Sequence, residues 1–160
     1  MLNITLLCVG KLKERYWTEA CEEYAKRMKG LCQFRLVEVD EERMPDKGGD
    51  THIRHVLEKE GQRLLAAVPK GAVMAALCIE GRLMTSEGLA QELENIALGG
   101  CGHIVFFIGG SWGLSDAVKQ AAQYRLSMSK MTFPHHLARV MLLEQIYRAL
   151  SIEAGSKYHK

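Results

Sequence analysis

His103-Ile104-Val105-Phe106-Phe107-Ile108-Gly109-Gly110-Ser111-Trp112-Gly113-Leu114-Ser115 is the stretch that decides the fold. Its first six residues form an apolar run rich in β-branched and aromatic side chains, as expected of a strand buried on both faces. Glycines end the run, and polar residues able to start a helix follow Gly113. Such a strand needs a covering layer on each side, so the flanking sequence should supply helices.

Outward from this stretch, apolar runs alternate with helical spacing along nearly the whole chain. Toward the amino terminus, residues 86–98 predict a helix with Ser86 as cap and Gly99-Gly100 as stop. Residues 73–79 predict a strand. Residues 51–67 predict a helix, in which Gly61 costs about 1 kcal/mol relative to alanine. A loop with Pro45, Gly48 and Gly49 spans 41–50. Before it come a strand at 34–39, a helix at 15–28 and a strand at 4–9. Toward the carboxyl terminus lie a short helix (115–122), a short strand (124–126) and a long helix (134–152) with Pro134 at its favoured first position. The alternation predicts an α/β fold: one domain over 1–160, a mostly parallel sheet and helices on both faces. Ligands of such sheets bind beyond the carboxyl ends of the strands. That rule selects Glu80-Gly81, the loop 109–114 and the loop 127–133.

Composition narrows the class. Hydrophobic residues make up 48% and charged residues 25% of the chain, the balance of a soluble globular protein. No run approaches the roughly 20 apolar residues that span a bilayer. Met1-Leu2-Asn3-Ile4 lacks a basic segment, so no secretory leader is expected. The five cysteines include no C-x-x-C pair, and Cys8 and Cys78 lie in apolar runs, which suits a reducing cytoplasm. A net charge of +2 makes the monomer a weak generic nucleic-acid binder. An RNA target would require a local basic patch or a dimer.

Several segments could carry chemistry, each beside a plainer reading. Residues 109–113 match G-x-S-x-G in the strand–turn–helix context of a serine hydrolase elbow. Asp116 stands too close to Ser111 to be the usual acid, Glu144 and Glu153 lie on the last helix, and no H-G-G-G segment appears; a tight turn without ligand is the alternative. The segment Ser127-Met128-Ser129-Lys130-Met131-Thr132-Phe133-Pro134-His135-His136 could offer a purine an apolar slot and backbone hydrogen bonds. It could equally cap the sheet, with Phe133 as a hydrophobic staple. On the last helix, His135 with Arg139 and Glu144 with Arg148 share faces at i,i+4 spacing, as an ordinary solvated face also would. That helix is apolar nearly all round, which suggests burial on several sides and a subunit interface. Ser156-Lys157-Tyr158-His159-Lys160 is either an inert tail or an aromatic and cationic group suited to a nucleobase and its phosphates. His52-x-x-His55 lacks partners for a metal site, and none is expected.

Taken in order, these pieces resemble the bacterial large-subunit ribosomal RNA pseudouridine methyltransferases of the SPOUT class. The matching stretches are Val9-Gly10-Lys11-Leu12-Lys13, Glu58-Lys59-Glu60-Gly61, Ser86-Glu87-Gly88-Leu89-Ala90 and Phe107-Ile108-Gly109-Gly110. They continue with Leu126-Ser127 through Phe133-Pro134-His135, Arg139, Glu144-Gln145-Ile146-Tyr147-Arg148-Ala149 and Tyr158-His159-Lys160. The resemblance implies a deep trefoil knot in the carboxyl-terminal half, although periodicity alone gives an unknotted sheet. It implies S-adenosylmethionine in the knot, an obligate homodimer, and methylation of N3 of a pseudouridine in large-subunit RNA on assembled ribosomes. The cofactor positions it implies are Leu77, Gly109, Met128, Ser129, Lys130, Met131, Thr132 and Phe133. It implies that Tyr158 and His159 reach the partner subunit's site. N3–H is an imide that must lose its proton before attack, and His159 is the candidate base, with Glu144 or water as alternatives. Arg139 and Arg148 could hold phosphate or developing negative charge. A hydrolase built on Ser111 and a non-enzymatic ribosome-binding factor are the competing classes.

Overall fold

The computed structural model describes residues 1–160. The elements, in chain order, are β1 (Asn3–Val9), α1 (Arg15–Arg27), β2 (Gln33–Val39), α2 (Asp50–Ala66), β3 (Val73–Leu83), α3 (Ser86–Leu98), β4 (His103–Ile108), α4 (Asp116–Ala121), β5 (Tyr124–Ser127) and α5 (His135–Glu153). The strands form one five-stranded sheet in the order β2-β1-β4-β3-β5. Every neighbouring pair is parallel. The α/β class with helices flanking a parallel sheet is therefore as the sequence predicts.

The double burial read from 103–108 has a direct cause. Ile104, Phe106 and Ile108 join Ile4, Leu6 and Cys8 in a core beneath α1, α3 and α5. Val105 and Phe107 join Leu7 and Val9 on the opposite face, under Leu64 of α2 and Val118 of α4. Period-two alternation thus feeds two cores at once. On the first face α5 packs between α1 and α3. Ala138, Leu142, Leu143, Ile146, Ala149 and Leu150 of α5 are buried there. Much of the apolar breadth that suggested a subunit interface is consumed inside the chain; Leu137 and Met141 stay half-buried.

Four local expectations are corrected. Thr85, rather than Ser86, caps α3: its Oγ1 accepts the Gly88 N–H at 2.9 Å. Pro134 is the residue before α5 rather than its first helical position. Gly61 is a contact point and not merely a weak helix former. A Cβ there would fall 2.5 Å from Ser115 Oγ and 3.2 Å from Val118 Cγ2, so glycine lets α2 lie against α4. Finally, β3 runs on to Leu83, and Glu80-Gly81 lies within it. Leu77 and Arg82 both align with Leu126, so residues 78–81 bulge out between two stretches of pairing. A Cβ on Gly81 would lie 2.8 Å from the Arg125 and Leu126 backbone.

Candidate functional site

A cavity of about 770 Å³ opens at the carboxyl ends of β4 and β5, beside the bulge within β3. Three segments wall it: the β3 bulge from Leu77 to Glu80, the turn from Ile108 to Leu114, and the loop from Ser127 to His135. The turn and the last loop are two of the places selected by the strand-end rule; the third selection, Glu80-Gly81, meets the wall only at Glu80, because the wall there is a bulge inside β3 and not a loop after it. Its volume falls in the range of small-molecule sites.

The turn is compact because glycine permits it. Gly113 N–H donates to the Gly110 carbonyl at 3.1 Å, and Gly113 has φ of 83°. A Cβ on Gly109 would fall 2.2 Å from the Gly113 carbonyl oxygen, so position 109 has no room for a side chain. The turn then hands over to α4 through Ser115, whose Oγ accepts the Val118 N–H. The third loop holds itself: Ser127 Oγ donates to the Ser129 carbonyl at 3.0 Å, and Ser129 Oγ accepts the Met131 N–H at 3.0 Å.

Of the implied cofactor positions, Leu77, Gly109, Met128, Ser129, Met131, Thr132 and Phe133 line the cavity. Lys130 does not, and its side chain is exposed. Residues outside the implied cofactor set also face it, among them Cys78 and Lys119, which the sequence did not mark. Glu80 and Lys119 form an ion pair that keeps the Glu80 carboxyl below its ordinary range. Burial raises the Cys78 thiol. His135 lines the wall at the start of α5, where burial, followed by His136 and Arg139, holds its imidazole below the ordinary value. The sequence places His135 in the candidate segment 127–136, directly after Pro134. Ser111 lies exposed at the rim. Histidine hydrogen bonds go instead to Thr5, Gly49, Arg148 and Glu87, so no imidazole activates Ser111 as a hydrolase requires. His52 spends its Nδ1 on the Gly49 N–H at the start of α2.

The tail builds a second cluster, on α3 and α5, that shares no residue with the cavity wall. Glu144 is its hub. Its Oε1 accepts from Arg148 Nε at 2.9 Å, from Arg148 Nη2 at 2.6 Å and from the Tyr158 hydroxyl at 3.2 Å. Its Oε2 accepts from Gln145 Nε2 at 2.8 Å, and Gln145 Oε1 accepts from Ser86 Oγ at 2.6 Å. Arg148 Nη1 reaches His159 Nδ1 at 3.2 Å, and His159 Nε2 reaches Glu87 Oε1 at 2.6 Å. The Tyr158 ring lies edge-on to Tyr147 and under the Arg148 guanidinium. Burial and Glu144 raise the Tyr158 phenol, which keeps its proton for that hydrogen bond. The tail is thus ordered against the chain. Glu144, already accepting four hydrogen bonds, organises the cluster and has little capacity left as a free base.

Arg139 is corrected. It is 1% exposed, donates to Glu38 Oε2 at 2.6 Å and to the Gly10 carbonyl at 3.1 Å, and so ties α5 to the ends of β1 and β2. A guanidinium spent this way is an internal clamp, not a ligand for phosphate.

Comparison with known proteins agrees with this architecture. The sequence model of a family described as "Predicted SPOUT methyltransferase" matches residues 2–159. Among solved structures, the fold is similar to "a probable methylase family protein from Haemophilus influenzae Rd KW20", with a TM-score of 0.52 at 13% identity, covering 99% of this chain and 70% of that one. With nearly its whole length matched, the chain belongs to the SPOUT methyltransferase family.

Proposed function

We propose that the protein is an S-adenosylmethionine-dependent methyltransferase that acts as a homodimer on N3 of a pseudouridine in large-subunit ribosomal RNA. The observation that carries the reading is the cavity at the β3 bulge and the ends of β4 and β5, with its turn closed so tightly at Gly109 that only backbone fits at that point of the wall. The residues fit the cofactor. Leu77, Ile108 and Phe133 offer apolar surface for a purine, and the backbone of 109–113 and 127–133 can supply its hydrogen bonds.

Bound S-adenosylmethionine supplies a methyl group on a positively charged sulfonium. The chain's own task is to hold the acceptor nitrogen in line with that methyl, exclude water and take up one proton. His159 is the group offered for the proton, and Arg148 lies beside it to face the negative charge that deprotonation leaves on the base. Because the tail cluster and the cavity share no residue, a complete site is best assembled from the cavity of one protomer and the tail of its partner. The knot belongs to the same proposal, supported by β3 lying between β4 and β5 while α5 returns to pack beside α1. Five unpaired cysteines suit a reducing, cytoplasmic setting.

The test combines binding, mass and transfer. Calorimetry should register S-adenosylmethionine, and sedimentation at micromolar concentration should give twice the 17.9 kDa chain mass. Deleting residues 156–160 should spare both while abolishing methylation of ribosomes. Calorimetric silence would refute the cofactor, and a clean monomer would refute the shared site. Normal transfer by the truncated chain would remove the tail from the chemistry.

A further inference from the structure

The contacts of His159 define one state of its ring. Arg148 Nη1 has only protons to offer, so His159 Nδ1, 3.2 Å away, is the acceptor. An ionised carboxylate only accepts, so Nε2, 2.6 Å from Glu87 Oε1, carries the proton. Both contacts select the same neutral tautomer, with Nε2 protonated and the lone pair on Nδ1. The His159 hydrogen bond, then the α3 backbone, hold the Glu87 carboxyl below its ordinary range, so the acceptor is charged. Arg148 is in turn held by two bonds to Glu144, leaving Nη1 as the nitrogen turned toward the ring.

We infer that Glu87 is a positioning residue that fixes the His159 tautomer, so that Arg148 and His159 together present a donor–acceptor pair matched to the imide edge of a uracil-type base. The inference rests on the RNA methyltransferase reading above, with His159 as the base. An imide edge sets a carbonyl acceptor beside an N–H donor. The incoming base replaces the bond between Nη1 and Nδ1: Arg148 donates to the carbonyl, and N3–H donates to Nδ1. When the N3–H bond breaks, its electron pair stays on nitrogen and the proton is held on Nδ1. The ring still donates Nε2–H to Glu87, and the imide anion lies against the Arg148 guanidinium. A cytosine edge reverses the pattern, setting an amine donor against Arg148 and a lone pair against Nδ1, so the pair rejects it.

The test reads the tautomer directly. Full-length protein labelled with ¹⁵N-histidine is observed by long-range ¹H–¹⁵N spectroscopy at pH 8, with His159 assigned by its loss in His159→Gln. The wild type should show Nδ1 unprotonated and Nε2 protonated. Glu87→Ala should give a mixture of tautomers. Its kcat on unmodified ribosomes should fall about tenfold, less than the 10²–10⁴ that losing the base itself costs. Glu87 is 63% exposed, which keeps the effect modest. Affinity for S-adenosylmethionine should not change, and Glu87→Gln, which can still accept from Nε2–H, should recover most of the rate. A wild-type ring protonated on Nδ1, or a Glu87→Ala protein with unaltered tautomer and rate, would overturn the inference while leaving the methyltransferase reading intact. A His159→Gln protein that methylates normally would instead remove His159 from the chemistry, and the edge-reading pair with it.

Discussion

Gly61→Ala separates local propensity from packing by the sign of its effect. In an isolated helix the change stabilises by about 1 kcal/mol. Here the new methyl would sit 2.5 Å from Ser115 Oγ and 3.2 Å from Val118 Cγ2. Neither neighbour yields freely. Ser115 Oγ is buried and caps α4 by accepting the Val118 N–H at 3.2 Å; turning it aside gives up a cap worth about 1 kcal/mol. Val118 is fully buried, and overfilling a packed contact costs about 1–3 kcal/mol. Against the propensity gain, the net is a loss of about 1–3 kcal/mol. Urea unfolding should show a midpoint lower by about 0.5–1.5 M for a slope near 2 kcal/mol/M. Ser115→Gly removes the obstructing oxygen while weakening the cap by only a few tenths of a kcal/mol. In that background Gly61→Ala should become neutral or stabilising, a coupling of about 1 kcal/mol or more. A raised midpoint for Gly61→Ala alone would refute the packing argument. The turn that forms the cavity wall leads directly into Ser115, so the single variant should also bind S-adenosylmethionine more weakly.

Gly109→Ala must open the turn at Gly113, so calorimetric affinity for S-adenosylmethionine should fall at least about tenfold while far-UV circular dichroism holds; unchanged affinity would place the pocket elsewhere. Arg139→Ala strands the Gly10 carbonyl and the Glu38 carboxylate, and should cost about 2–4 kcal/mol, lowering Tm by roughly 5–15 °C. Normal Tm with lost transfer would mean that Arg139 faces substrate after all. Burial pushes the Cys8 thiol up to about 12 and those of Cys21 and Cys32 to about 11, so native alkylation at pH 8, read by mass spectrometry, should spare all three. Cys101 should react, and S-adenosylmethionine should shield Cys78 in the cavity wall; uniform labelling would contradict these burials.

Local periodicity carried much of the fold. β1 and β4 were legible because alternating burial leaves an unbroken apolar run, and α3 because its spacing and its Gly99-Gly100 stop are local signals. The length of β3 was not legible, because residues beyond Ile79 become strand only where the β5 edge pairs with them. Two of the cavity's segments, the turn after β4 and the loop after β5, followed from the strand-end rule, and the unusual composition of 127–136 marked the latter; the β3 bulge met the rule's choice only at Glu80. Arg139 was misread as a phosphate ligand because its partner Glu38 stands 101 residues away, and no pattern in α5 announces it. The tail's residue types were suggestive, but their order depends on Glu87 and Glu144, two helices that meet only in the folded chain.

The hydrogen bonds around the tail close on themselves. Starting at Ser86, they pass through Gln145, Glu144, Arg148 and His159 and end at Glu87, the next residue in the chain. A linear relay fails at its weakest link, whereas a circuit leaves each member reachable from the other direction. Cutting the Ser86–Gln145 link should therefore let Glu144 and Arg148 stay anchored through His159 and Glu87, and cutting at Glu87 should leave them anchored through Ser86. Only simultaneous cuts on both sides would set the Glu144–Arg148 pair adrift from α3. The amino-terminal turn of α3 thus grips the carboxyl-terminal segment with two adjacent fingers, a fault-tolerant mount that keeps the tail's orientation when either one lets go.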